Sequence, residues 1–453
     1  MGITVGQLAL ERYLWHMQQI EKTPIEKIIA PVSRFIHLEY TSGLVLLAAV
    51  VMAIVWANLM PGSYHHVWEL RLSVGLADWH FDQPLHVWIN DGLMAIFFFV
   101  IGLELKREFM DGELSSLAKA ALPMGAALGG MIIPALIYVA LNYGTTASAG
   151  WGIPMATDIA FALALLSMAG KHIPTSVKVF LSALAVADDL GAVLVIAFFY
   201  TAGVNLYALG IAGLFLLLLV VGNRMGIRNS AFYLVLGIAV WLGFLFSGVH
   251  ATIAGVLVAF TIPAKTKIDE QVYADNLKKL TSAFEEEIPS NSTLTTPVQH
   301  KTIQQVKNIS LAAETPLQKI EHGLHPWVAF VIMPLFALSN SGLEIGADFI
   351  GSLANPVSLG VMLGLLIGKF IGILLFTWLL VRTGLCLLPM GANWRHIIGV
   401  AIFGGIGFTM SLFISGLAFS SPGHIDQAKY GILLASIIAG MAGSLVLRYR
   451  RAG

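Results

Sequence analysis

Residues 181–193 read LSALAVADDLGAV, with two aspartates, Asp188 and Asp189, side by side in a stretch otherwise composed for lipid. From 179 to 201 they are the only charged residues. A helix of about 20 apolar residues spans the hydrocarbon core of a bilayer. Each carboxylate at its centre costs about 2.5–3.5 kcal/mol on the insertion scale. Asp158 repeats the expense one helix earlier. Such residues are kept inside a membrane for what they do there.

The rest of the chain agrees about the solvent. Of 453 residues, 57% are hydrophobic and 11% charged, where a soluble domain carries about 25% charged. Uncharged runs of helical spanning length recur, so the fold class is an all-α, polytopic membrane protein. The runs are continuously apolar rather than alternating, which excludes a transmembrane β-barrel. The balance of 26 basic against 26 acidic residues gives no general attraction to nucleic acid. Cys386 is the single cysteine, so there is no internal disulfide framework.

Twelve spans are expected, near 37–59, 86–106, 118–141, 151–170, 177–201, 205–221, 231–247, 249–263, 326–342, 357–381, 396–418 and 427–447. They divide the chain into an arm (1–36), spans one to eight (37–263), a connection (264–325), spans nine to twelve (326–447) and a tail (448–453). The arm carries Glu11, Arg12, Glu21, Lys22, Glu26, Lys27 and Arg34 without the apolar core of a signal peptide, and reads as a cytoplasmic amphipathic segment. With both termini cytoplasmic, 23 of the 26 basic residues fall on the inner side, leaving Arg71, Lys369 and Lys429. That bias is the positive-inside signature.

Residues 61–84, PGSYHHVWELRLSVGLADWHFDQP, can form a short outer β-hairpin whose edges could pair a second copy into a homodimer. The 264–325 connection, with EEE and PSNSTLTTP, is expected to be partly helical and is assigned no chemistry. Spans three to five and ten to twelve are offset by an odd number, so the triplets run in opposite directions. Their middle members carry GIPMATDIA and FGGIGFTM. Matched interruptions in inverted repeats point to a transporter's binding site.

The deepest ionisable groups are Asp158, Asp188, Asp189 and Lys369. Ion pairs locking helices together would be one use, but three acids face one base. At least one carboxylate must be protonated, hydrated or bound to a cation, which favours ion traffic. Neighbouring helical residues point about 100° apart, so one aspartate serves as ligand and the other as accessory. Thr157 offers a hydroxyl and, if the helix opens at TDI, a carbonyl. Oxygen ligands of this kind suit Na⁺ or Li⁺. FGGIGFTM alone would be read as close helix packing. Beside TDI it reads as a second break. Lys369 is expected to be a structural counter-charge more than a proton carrier.

These residues also carry a resemblance. WINDGLMAIFFFVIGLELKREF (88–109), ATDIAFALALL (156–166), the acidic pair within 184–201, SGVHATIAGVLVAFTIP (247–263), EHGLHPWV (321–328), LIGKF (366–370) and GGIGFTMSLFISGLAF (404–419) occur in order. Over roughly 37–263 and 321–447 the chain resembles the bacterial NhaA family of sodium/proton antiporters. The resemblance implies twelve helices, with spans four and eleven broken and crossed. It also implies electrogenic, pH-regulated exchange of two protons for one Na⁺ or Li⁺ in the inner membrane, without a cofactor. It makes Asp189 the cation and proton ligand and Asp188 its accessory, the two forming the Na⁺ or Li⁺ site. Thr157 and Asp158 become the broken-helix pair, and Lys369 the charge-compensating lysine. Glu104, Arg107, Glu108, Glu321, His322, His325 and His250 become pH-response positions. The plainer alternative for GLELKRE is a solvated helix end with i,i+3 and i,i+4 ion pairs. The long arm and the long 264–320 segment depart from the family pattern, both on the side expected to sense pH.

Three rivals fit less well. An intramembrane aspartyl protease needs facing carboxylates in YD and GxGD signatures, and these are absent. A sodium-coupled solute symporter also uses broken helices, but would need its solute for flux. A channel fits least, because a strong carboxylate trap slows release.

Overall fold

The structure is a computed structural model that describes residues 41–76, 79–170, 172–201, 203–286, 294–346, 351 and 353–448. The expected 1–36 arm, the start of span one and the tail beyond Arg448 lie outside the described residues. Among the described residues ten helices are long and apolar enough to cross a membrane. They are α1 (Thr41–Leu59), α3 (Leu85–Asp111), α4 (Leu117–Asn142), the segment Ser148–Ala169 ending in α5 (Ile159–Ala169), α6 (Thr175–Phe199), α7 (Leu206–Arg224), α8 (Ser230–Ser247), α12 (Pro316–Asn340), α13 (Pro356–Arg382) and α16 (Pro422–Arg448). A bent pair, α14 (Trp394–Phe403) and α15 (Phe408–Ala418), brings the number to eleven. The segment expected as span eight is a shorter apolar helix, α9 (Ala251–Thr261). At about 1.5 Å per residue it is roughly half the length of a hydrocarbon core.

Outside the bundle lie α2 (Pro61–Glu69), α10 (Glu270–Glu285) and α11 (Pro297–Ala313). The first nine residues of the 61–84 loop are therefore helix, begun by Pro61 in the first turn. The hairpin is confined to β1 (Arg71–Leu76) and β2 (Trp79–Pro84), antiparallel with Arg71 opposite Pro84. The 264–325 connection is a helical pair and more. Its last residues, 316–325, already belong to α12, started by the Thr315 cap and Pro316 at the first helical position. Arg228 closes the base of the pair by donating to the carbonyls of Lys265 (2.8 Å) and Glu314 (3.2 Å).

Two features set the centre of the bundle. Of the most apolar 18 residues of each helix, 72% are buried in α6 and 22% in α7, so the acidic pair sits in the middle and α7 faces lipid. Against α6 packs α4, and against α4 packs α13, the last two approaching closely through small residues. Gly364, Gly368 and Gly372 recur every fourth residue of α13, and a Cβ on Gly372 would run into the Gly129 carbonyl of α4. A π-helical turn at Gly364–Gly368 adds a residue to α13 just before Lys369. Such turns shift the face on which later side chains emerge.

Gly372→Val should therefore lower the folded yield and the melting temperature in detergent, because backbone rather than a flexible side chain stands in the way. Overpacking of this kind costs about 1–3 kcal/mol or more. A variant as stable as the parent would contradict the close approach.

Candidate functional site at the helix crossing

Two spans are interrupted at mid-bundle. The first begins as a 3-10 segment, Ser148–Met155, and runs non-helical through Ala156, Thr157 and Asp158. It resumes as α5 at Ile159. The second breaks at residues 404–407, and its halves meet at 42°. The interruptions touch: the Asp158 N–H donates to the Ile406 carbonyl at 2.7 Å. Gly405 permits the approach of α13, since a Cβ there would sit 2.5 Å from the Leu365 carbonyl oxygen.

Breaking a helix leaves unpaired N–H groups at one end, unpaired C=O groups at the other, and partial charges to match. Asp158 serves two N-termini at once. Its Oδ1 accepts from the Phe161 N–H of α5 at 3.0 Å, and its Oδ2 accepts from the Thr409 N–H (3.1 Å) and hydroxyl (2.5 Å) of α15. The carbonyl end of α14 is met by Thr157, whose hydroxyl lies 3.0 Å from the Gly404 oxygen and 2.7 Å from Asp188 Oδ2. Lys369 Nζ donates to Thr157 Oγ1 at 2.9 Å and forms an ion pair with Asp188 Oδ2. All of these side chains are buried.

Asp188 and Asp189 point apart. Asp188 faces Lys369, while Asp189 lines a cavity of about 450 Å³ together with Asp158, Thr409, Glu104, Lys178 and His325. Among the described residues neither Asp189 Oδ1 nor Asp188 Oδ1 has a hydrogen-bond partner. The cavity runs between α3, α5, α6 and α12 and reaches Thr175 and Lys178, the end of α6 that carries basic residues. Among the described residues no group of three His, Cys, Asp or Glu is placed to hold a metal ion. The donors at the crossing are carboxylates, hydroxyls and carbonyls, an all-oxygen set suited to a hard ion rather than a transition metal.

Six of the seven candidate pH positions lie at the ends of α3 and α12. Arg107 is 3.5 Å from Glu321 and 3.6 Å from Glu108. Glu321 is buried with Oε2 unpartnered, and Glu108 Oε2 accepts from the Glu113 N–H at 3.0 Å. Glu104 and His325 line the cavity, and His322 is exposed beside Glu321. His250 is elsewhere. It precedes α9, whose Gly255 packs on Ala95 and Phe99 and whose Ala259 packs on Gly102. This parallel contact carries His250, ahead of α9, toward the start of α3, the end opposite the cluster. There its Nε2 donates to the Tyr200 carbonyl at 2.8 Å.

Sequence reasoning missed Thr409, which completes the double cap. Its signal was a hydroxyl two residues beyond the GGIG break, mirroring Thr157 and Asp158 ahead of α5. It also left open which acid Lys369 faces.

A multi-span bundle with two broken helices crossing around buried carboxylates, two of them lining a cavity, belongs to the class of membrane transporters rather than enzymes. The chain belongs to the family described as Na+/H+ antiporter 1, which matches residues 33–447. Among its relatives, the Na(+)/H(+) antiporter NhaA of Oleidesulfovibrio alaskensis is 49% identical over 429 residues, covering 94% of this chain and 95% of that protein. The protein of the same name from Acidithiobacillus ferrooxidans is 49% identical over 424 residues, with 93% and 97% covered. That of Koribacter versatilis is 45% identical over 437 residues, with 95% and 93% covered.

Asp158→Ala removes a cap from two half-helices, each worth about 0.5–2 kcal/mol. Its melting temperature in detergent should fall further than that of Asn205→Ala, which uncaps α7 alone. Equal losses would contradict the double cap.

Proposed function

We propose that this protein exchanges Na⁺ or Li⁺ for protons across the bacterial inner membrane by alternating access, two protons entering for each cation expelled. The observation that carries the proposal is Asp189: a buried carboxylate with an unpartnered oxygen, facing a cavity while its neighbour Asp188 is held by Lys369. The names of the relatives support the same exchange.

The coupling follows from competition. A proton or a cation neutralises Asp189, never both, so filling the site with one empties it of the other. Asp158, with three donors on its two oxygens, is already satisfied as an ionised cap and stays out of the exchange. The second proton belongs to the Asp188–Lys369 pair. For Asp188 to turn an oxygen to the cation, Lys369 must give up its proton. The proton-loaded site is then neutral: Asp189 protonated, Asp188 negative, Lys369 positive. The sodium-loaded site carries two carboxylates, a neutral lysine and one Na⁺, a net single negative charge. Each cycle therefore moves one charge. The short contacts between the two breaks let the half-helices tilt as a unit, exposing the site first to one side and then to the other. No cofactor takes part.

Twelve crossings, two inverted triplets and both termini in the cytoplasm complete the proposal. It counts α9 as a crossing and rests on the basic residues concentrated on one side. The cavity then opens to the cytoplasm. The cluster around Arg107 and Glu321 sits at its mouth, where protonation of its acids or histidines would loosen the Arg107 ion pairs and adjust access. His250 would respond separately on the far side. The 71–84 hairpin would join two copies through its exposed strand edges.

In proteoliposomes, NaCl or LiCl should collapse a preset pH gradient without any organic solute, while KCl should not. Asp189→Asn should be folded and show only background flux. Near-normal flux in that variant would move the site elsewhere. A membrane potential should drive Na⁺ uphill at equal pH on both sides, since one charge across 100 mV is worth about 2.3 kcal/mol. Lys369→Ala should lose that voltage response. A variant that keeps it would make the lysine structural only.

A further inference from the structure

On the face of α5 turned away from the cation cavity, α1, α5, α15 and α16 enclose a groove of about 410 Å³. Its walls include Leu47, Phe161, Phe408, Ile437 and Met441, and at one end stands Arg448. The rims are exposed: Leu47 at 43%, Ile437 at 58% and Met441 at 63%. The groove therefore opens outward to the lipid. Among the described residues, only Ser436 and Ser444 join Arg448 in bringing polar side chains, and Ser436 is committed to accepting from the Phe408 N–H at 3.2 Å. A slot this apolar does not hold ordered water. Along α16 it extends from Leu433 to Arg448, about 22 Å at helical rise. That exceeds the roughly 15 Å that one leaflet contributes to the hydrocarbon core.

The charge at its end decides the occupant. Among the described residues no acidic side chain lines the groove. Arg448 uses one of its donors on the Met168 carbonyl at 3.3 Å, of the five a guanidinium carries. In sequence it is followed closely by Arg450 and Arg451. Basic groups at the membrane surface draw anionic headgroups. We propose that the groove holds one acyl chain of an anionic phospholipid, with its phosphate at Arg448. The chain lies against Phe161 and Phe408, in the first turns of the two half-helices that Asp158 caps. The lipid thus packs on the back of the crossing and resists its movement. This site is independent of the ion exchanged.

Native mass spectrometry tests it on the full chain, stripped of lipid and then offered phosphatidylglycerol or phosphatidylcholine with identical acyl chains. The wild type should retain one phosphatidylglycerol per chain, about fivefold more than phosphatidylcholine. Arg448→Gln should erase that preference, and Ser444→Phe, which fills the groove, should lower retention of both lipids. Lys279→Gln, a charge change on the distant α10, should alter neither. Equal retention of the two lipids by the wild type, or an intact preference in Arg448→Gln, overturns the proposal. So does full retention in a folded Ser444→Phe. Lipid carried by monomers but excluded from dimers would make a second copy the occupant and overturn it too. Arg448 is exposed at a helix end, so its variant folds even if Ser444→Phe does not.

Discussion

Backbone polar groups inside a bilayer must find partners within the protein, because lipid offers none. Interrupting two helices at the same depth frees several such groups, and the arrangement around the crossing answers that demand. The Asp158–Ile406 backbone bond ties the interruptions together, and the Asp158 carboxylate closes the N-terminal end of both α5 and α15. Thr157 meets the carbonyl end of α14, and its hydroxyl oxygen accepts from the Lys369 amine. Lys369 then needs an anion, and Asp188 is the one it has. Asp189 is left over, held in the same environment without that support. The chemistry proposed for the site rests on this division: one carboxylate builds the crossing, one is paired, and one is free to bind.

The scaffold makes the division possible. The glycine stripe of α13 brings it against α4, and the π-helical turn before Lys369 sets the face on which the amine emerges. A lysine one residue out of phase would point about 100° away, leaving Asp188 without its counter-charge. The buried position of α6 at the centre of the bundle keeps the pair away from lipid. The same scaffold leaves α5 with different surroundings on its two faces, a cavity into which Asp189, Asp158 and Glu104 bring carboxylates on one and an apolar groove on the other.

Much of this was legible in the sequence, for identifiable reasons. Hydrophobic length located the spans, and helix geometry alone separated the directions of Asp188 and Asp189. The positions of TDI and GGIG located both interruptions. What failed to show depended on distance or on local irregularity. With three acids and one base, composition could not say that Lys369 meets Asp188, 181 residues earlier in the chain. Hydropathy did not distinguish α9, only 11 residues long, from a full span. Lys319, Glu321, His322 and His325 hid the early start of α12, because polar residues mask the apolar signal even where Thr315 and Pro316 begin the helix. The double role of Asp158 required Thr409, a partner brought near by the crossing itself.

The central claim is that Na⁺ and protons compete for Asp189, a buried carboxylate with an unpartnered oxygen, with a second proton held by the Asp188–Lys369 pair. Proton release by the purified protein, monitored with a pH indicator in weakly buffered detergent solution during NaCl addition, tests it most directly. The account predicts two protons released for each Na⁺ bound and none on addition of KCl. Saturable Na⁺ binding with no proton release would contradict it.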